Sequence, residues 1–188
     1  MEELKKMTGQ HFVVGFPGTG LDEEFIRLVK EYKIGNIILF RHNVESREQL
    51  RALCVEIQEL VQQETGHPAF IMIDQEGGVV TRLSEDFCNV PEGMALAATE
   101  DPENMKICAQ ITARQLLDCG VNFNLAPVLD INNNARNPVI GVRSYGDTPE
   151  AVVGGTLAAI EGYRQENLLS CGKHFPGHGD TATDSHLG

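Results

Sequence analysis

The sequence predicts an α/β fold in which a parallel sheet is covered by helices. Three observations lead there. Short, wholly apolar runs alternate with longer segments of helical periodicity. The apolar runs read as strands buried on both faces, as in parallel sheets. Clusters of polar residues follow these runs at their carboxyl ends.

Along the chain, His11 to Phe16 (His-Phe-Val-Val-Gly-Phe) reads as a buried strand, followed by a glycine-rich turn and a helix near Asp22 to Tyr32. Ile37-Ile38-Leu39-Phe40 is the second strand. Ser46 opens a capping box with Gln49, and the helix behind it runs to Thr65, with Gly66 and Pro68 as its stop. Leu50, Leu53, Cys54, Ile57, Leu60 and Val61 make one apolar stripe on that helix. Ala69-Phe70-Ile71-Met72-Ile73 is the third strand. Asp101-Pro102-Glu103 starts another helix, with proline in the first turn and Gly120 as C-cap. Val121 to Ile131 contains a fourth strand, and Thr148-Pro149-Glu150 begins a helix ending near Asn167. Leu168 to Gly172 leads into a fifth strand. No internal repeat, linker or low-complexity tract interrupts this order.

Two closures fit such a chain, an open doubly wound sheet and a (β/α)8 barrel. The polar motifs favour the barrel. Asp74-Gln75-Glu76-Gly77-Gly78, Asp130-Ile131-Asn132-Asn133-Asn134 and Lys173-His174 all follow predicted strands, and barrel enzymes collect their catalytic groups from several strand ends. No Gly-x-Gly-x-x-Gly follows a strand, and the turn with Gly15, Gly18 and Gly20 lacks the Lys-Ser/Thr of a phosphate loop. A complete barrel takes about 250 residues, whereas five strands are read here in 188. The expected architecture is therefore a TIM-like (β/α)8 barrel truncated to about five strand–helix units. An incomplete barrel leaves its first and last strands with open edges, so a dimer or aggregate is expected.

Composition narrows the function classes. A net charge of −12 opposes bulk electrostatic binding to nucleic acid or an anionic membrane. No stretch approaches the roughly 20 apolar residues of a membrane span. Met1 to Lys6 passes into mixed sequence without the apolar run of a signal peptide, and a cytoplasmic location is expected. Cys54, Cys88, Cys108, Cys119 and Cys171 are odd in number, irregularly spaced and without Cys-x-x-Cys, which reads as five reduced thiols. Cys54 and Cys108 fall at helix core positions.

The densest chemistry lies between Lys173 and His186, where three histidines, two aspartates and a lysine are interrupted by Pro176 and by glycines that exclude a helix. In a barrel, Asp74, Arg143, Lys173 and His174 would share one mouth. Such a set suits vicinal hydroxyls, with Asp and His accepting or donating and Lys and Arg donating. The structural alternative is that Asp74 caps a helix and Arg143 pairs with Asp130 or Asp147. Asp184-Ser185-His186, if extended, places residues i and i+2 on one side. A carboxylate there would fix the imidazole tautomer and raise its pKa, as a general acid requires. A solvated tail is the plain alternative. A metal set of His174, His178, Asp180, Asp184 and His186 is also conceivable, although Pro176 and Gly177 exclude the helical His-Glu-x-x-His geometry.

Taken together, four motifs carry a family likeness. Asp74-Gln75-Glu76-Gly77-Gly78, Asn124-x-Ala126-Pro127-Val128-x-Asp130, Asn137-Pro138-Val139-Ile140-Gly141-x-Arg143-Ser144-Tyr145-Gly146 and Lys173-His174-Phe175-Pro176-Gly177-His178-Gly179 resemble glycoside hydrolase family 3 in order and spacing. Asp184-Ser185-His186 narrows the resemblance to the bacterial β-N-acetylglucosaminidases of that family. One departure is visible: Val79 stands where the family usually shows arginine, with Arg82 three residues on.

The resemblance implies that residues 1–188 are the N-terminal part of a catalytic barrel working by a retaining mechanism through a covalent glycosyl-enzyme, without cofactor or metal. It implies His186 as acid/base and Asp184 as its partner. Asp74, Arg143, Lys173 and His174 would bind the terminal N-acetylglucosamine of a carbohydrate such as a peptidoglycan fragment. The family's nucleophile is an aspartate after a later strand, while Asp74 and Asp130 match other positions, so this chain alone is expected to be inactive. A histidine acid/base does not repel phosphate, so phosphorolysis is an alternative to hydrolysis. A non-catalytic sugar-binding fragment is another.

Overall fold

Strand and helix alternate throughout the computed structural model, which describes residues 2–185. In chain order the elements are α1 (Glu2–Gly9), β1 (Val13–Val14), α2 (Glu23–Tyr32), β2 (Asn36–Leu39), α3 (Arg47–Thr65), β3 (Phe70–Ile73), α4 (Gly93–Ala97), α5 (Pro102–Asp118), β4 (Phe123–Asn124), α6 (Pro149–Gln165) and β5 (Leu169–Ser170). The chain forms two units. The first holds Met1–Asp74, Arg82–Phe87 and Gln115–Phe123, and the second holds Gln75–Thr81, Cys88–Arg114 and the residues from Asn124 onward.

In the first unit β1, β2 and β3 are parallel neighbours, with Val13 opposite Asn36 and Ile37 opposite Ile71. The carboxamide of Asn122 extends this ladder: its Oδ1 accepts from Ile71 N–H at 2.9 Å and its Nδ2 donates to Ala69 O at 2.9 Å. Ile37, Leu39, Ile71 and Ile73 are fully buried, as the continuous apolar runs require. The first strand departs from expectation. It is two residues long, and Phe12 and Val13 are exposed rather than buried.

Helix caps follow the sequence closely. Asp22 caps α2 through Phe25 N–H, and Ser46 caps α3 through Gln49 N–H. The reciprocal bond of the expected box lands one residue early, because Gln49 Oε1 accepts from Glu45 N–H rather than from Ser46. On α3, Leu50, Leu53, Cys54, Ile57 and Val61 are buried, and Leu60 at the margin is half-buried. All five cysteines are free; Cys54 and Cys119 are buried, whereas Cys108 is only half-buried.

In the second unit α6 begins after the Thr148 cap with Pro149 at its first position. Gly162 lets α6 lie close on the first part of α5, since a β-carbon there would strike Lys106 O and Ala109 Cβ. Strand β5 follows β4, with Cys171 N–H bonding Asn124 O, and the parallel register continues to a bridge between Val128 and Lys173. Asn124 is fully buried. It accepts from Gln75 N–H at 3.0 Å, donates to Gln75 O at 2.9 Å, and donates to the Tyr163 hydroxyl at 3.3 Å. One side chain thus completes a missing ladder and ties it to α6. Helices α1 and α4 are additions to the elements read from sequence.

Candidate functional site

Four backbone segments of the second unit carry the polar centre. Gln75 and Glu76 leave β3 and enter a hairpin-like turn, where Gly77 and Gly78 adopt φ of 102° and 54° and an added β-carbon would strike Pro91 O and the Glu92 side chain. Glu76 is thereby turned inward, its side chain only 6 % exposed. Arg143 ends a short 3-10 turn whose start is fixed by Asn137, which accepts from Val139 N–H and Ile140 N–H. Lys173 is held by the bridge to Val128 and donates its N–H to Pro127 O.

These three side chains meet. Arg143 donates Nε and Nη2 to the two Glu76 oxygens at 2.8 Å each, and Lys173 Nζ lies 2.5 Å from Glu76 Oε1. Arg143 also donates to Val139 O at 3.0 Å. A bidentate guanidinium on a buried carboxylate fixes both position and plane of the cation. Glu76 is thus a partner of Arg143, one that was not considered from sequence. Two cations share one carboxylate.

A second cluster surrounds Asp130, whose side chain is wholly buried. Its Oδ2 lies 2.6 Å from His174 Nδ1 and accepts His174 N–H at 3.1 Å, while its Oδ1 accepts His178 N–H. Burial pushes the Asp130 carboxyl up, but the bonds from His174 and His178 outweigh it and hold the group below the usual carboxylate range. Nδ1 of His174 is engaged with Asp130. Beside it opens a cavity of 440 Å³ lined by Leu129, Asp130, His174, Phe175 and Gly179 among others, within the size range of small-ligand sites. Gly179 is required at its wall, because a β-carbon would overlap the Ile131 carbonyl.

The predicted site residues are therefore distributed as follows. Arg143 and Lys173 are brought together by Glu76, and His174 is set by Asp130. Asp74 stands at the exit of β3, half-buried, in the first unit. Asp184 is half-buried on the loop after Thr181, and His186 lies outside the described residues, as does any pairing between the two. Among the described residues no group of three or more His, Cys, Asp or Glu is arranged to hold a metal. Glu76, Asn124 and Asn137 lay within the motifs, yet only their burial and partners reveal what they do.

Residues 3–188 match the glycosyl hydrolase family 3 N terminal domain. The chain belongs to that family. Its family 3 relatives include a β-hexosaminidase of Alkalilimnicola ehrlichii, 40% identical over 181 residues that make up 93% of this chain and 51% of that protein. β-Hexosaminidase A of Pseudoalteromonas piscicida is 38% identical over 175 residues, 90% of this chain and 29% of the relative. The chain thus spans about half the length of the first of these relatives and under a third of the second.

Solved family 3 structures agree with the architecture. A β-N-acetylglucosaminidase from Paenibacillus superposes with a TM-score of 0.94 at 44% identity, covering 97% of this chain and 35% of that one. NagZ from Neisseria gonorrhoeae, solved with N-trifluoroacetyl-D-glucosamine, gives 0.83 at 36% identity over 93% of this chain and 52% of its own. The α/β fold with a parallel sheet is that of family 3 N-terminal TIM-barrel domains, as expected from the strand-end motifs.

Proposed function

We propose that this chain is the N-terminal part of a cytoplasmic, retaining exo-β-N-acetylglucosaminidase that removes terminal β-linked N-acetylglucosamine from peptidoglycan-derived fragments. The observation that carries the reading is the Glu76 cluster. It presents Arg143 and Lys173 as fixed, desolvated donors, as recognition of ring hydroxyls demands. His174 adds an oriented imidazole. Asp74 is included on its motif alone. The resemblance to proteins named β-hexosaminidase and β-N-acetylglucosaminidase supports the sugar. The five free thiols support a reducing compartment.

In this reading His186, partnered by Asp184, protonates the glycosidic oxygen as the leaving group departs, then takes a proton from the attacking water. Asp130 is kept as the group that orients His174 and His178, and Asp74 as a sugar ligand. The family resemblance puts the nucleophile after a later strand, so in this reading the 188-residue chain alone is inactive.

The test is release of nitrophenol from its β-N-acetylglucosaminide by the 188-residue chain and by a chain extended to the length of its relatives. Activity only in the longer chain, lost by orders of magnitude in His186→Ala, supports the reading. Activity of the short chain overturns the assignment of the nucleophile. Near-normal turnover after changes at both Asp184 and His186 overturns the acid/base assignment. Formation of the sugar 1-phosphate in phosphate buffer would replace hydrolysis by phosphorolysis.

A further inference from the structure

His178 is the node of the loop that carries Asp184, and every polar atom it owns is engaged. Its N–H donates to Asp130 Oδ1, and its carbonyl accepts from Asn137 Nδ2 at 2.6 Å. Its ring reaches the other way: Nδ1 lies 2.6 Å from Thr181 Oγ1, and Nε2 lies 3.0 Å from Ser185 Oγ. Thr181 closes the turn by donating its hydroxyl to His178 O at 3.0 Å. With that proton committed, Thr181 Oγ1 accepts from Nδ1–H, which leaves Nε2 to accept from the Ser185 hydroxyl. A neutral imidazole satisfies both contacts at once. Further ties run from Asn134 Nδ2 to the carbonyls of Asp180 and Thr181, at 3.1 Å each.

These contacts divide the loop. Up to Thr181 it is fastened through its backbone to Asn134, Asn137 and Asp130. Beyond Thr181 the His178–Ser185 bond is a direct link back to the anchored part, and Ser185 adjoins both Asp184 and His186. The geometry points to His178 as a positioning residue: a latch whose ring holds the Ala182–Ser185 arm against the anchored turn and so sets where Asp184 acts. This rests on the proposed roles of Asp184 and His186, but the latch is measurable without them.

Backbone order parameters at Ala182 to Ser185 in the 188-residue chain test it directly. Ser185→Ala removes one bond at an exposed position that no core depends on, and should lower them part of the way to free-tail values; His178→Phe removes both ring bonds and should lower them further. His178→Gln, which keeps a polar group near Nε2, should restore part of the order. Wild-type order parameters in Ser185→Ala and His178→Phe overturn the latch, and Ser185→Ala alone decides if the phenylalanine variant does not fold.

In the chain extended to its relatives' length, His178→Phe should lower kcat while KM for the nitrophenyl sugar stays unchanged, because Arg143 and Lys173 are held by Glu76 and not by this loop. Lowered order with unchanged kcat would keep the latch and overturn the acid/base roles of Asp184 and His186. Lowered kcat with unchanged order would overturn the latch.

Discussion

Glu76 is the residue on which most of the site's electrostatics turns. Glu76→Ala would leave a guanidinium and an ammonium buried without their shared counter-charge, a change that costs roughly 3–5 kcal/mol. Glu76→Gln keeps the shape and some of the bonds and should cost less, so the two variants should separate in urea midpoint with alanine the lower. Asp130 makes a pH-dependent contribution of definite sign. Its folded-state pKa is depressed, so its tie to His174 and His178 is fully present above the ordinary aspartate value of about 3.9 and lost as pH falls through the lower, folded value. The side-chain carboxyl carbon resonance of Asp130 should therefore show its titration only below the ordinary aspartate range. Neither role was legible from residue type. Glu76 sits between glycines and acidic neighbours and reads as a solvated turn residue, and its arginine partner is 67 positions away.

At the level of elements, the sequence was most informative where one physical signal dominated. Helices α2, α3, α5 and α6 were foreseen from caps and periodicity, and their ends agree with the structure to within a few residues. Helix α1 was missed because Glu2–Gly9 holds just two large apolar residues, Leu4 and Met7, both exposed. Helix α4 is a single short turn, too brief for any period to register. Strands were placed correctly but read as too long, because apolar content marks burial and not hydrogen bonding. The packing of α6 on α5 makes a sharper prediction. Gly162→Ala gains up to about 1 kcal/mol in helix propensity, yet its methyl meets Lys106 O and Ala109 Cβ. Overpacking of that kind typically costs 1–3 kcal/mol, so the variant should melt lower than the parent, whereas Gly154→Ala, with open space around it, should melt higher.

On the scale of the whole molecule, charge and exposed apolar surface oppose each other. Val153, Leu157, Leu169 and Phe175 face solvent in the second unit, as do Leu4, Met7, Phe12 and Val13 in the first. A net charge of −12 at neutral pH keeps copies apart, and this repulsion vanishes toward the isoelectric point near 4.8. Light scattering should show size rising as pH is lowered from 7.5 toward 5, and falling back when Val153 and Leu157 are replaced by lysine or glutamate. Unchanged size across that range would remove the expectation of self-association.

The buried amide of Asn124 has a consequence in time. Gln75 lies 49 residues before it, and until the two meet, the backbone at the exit of β3 has no ladder to join. Closing so wide a loop is entropically unfavourable before any contact repays it, which places this pairing late among the folding events. During synthesis the turn bearing Glu76 therefore emerges first, and its junction with β3 waits for its ladder until Asn124 has cleared the ribosome.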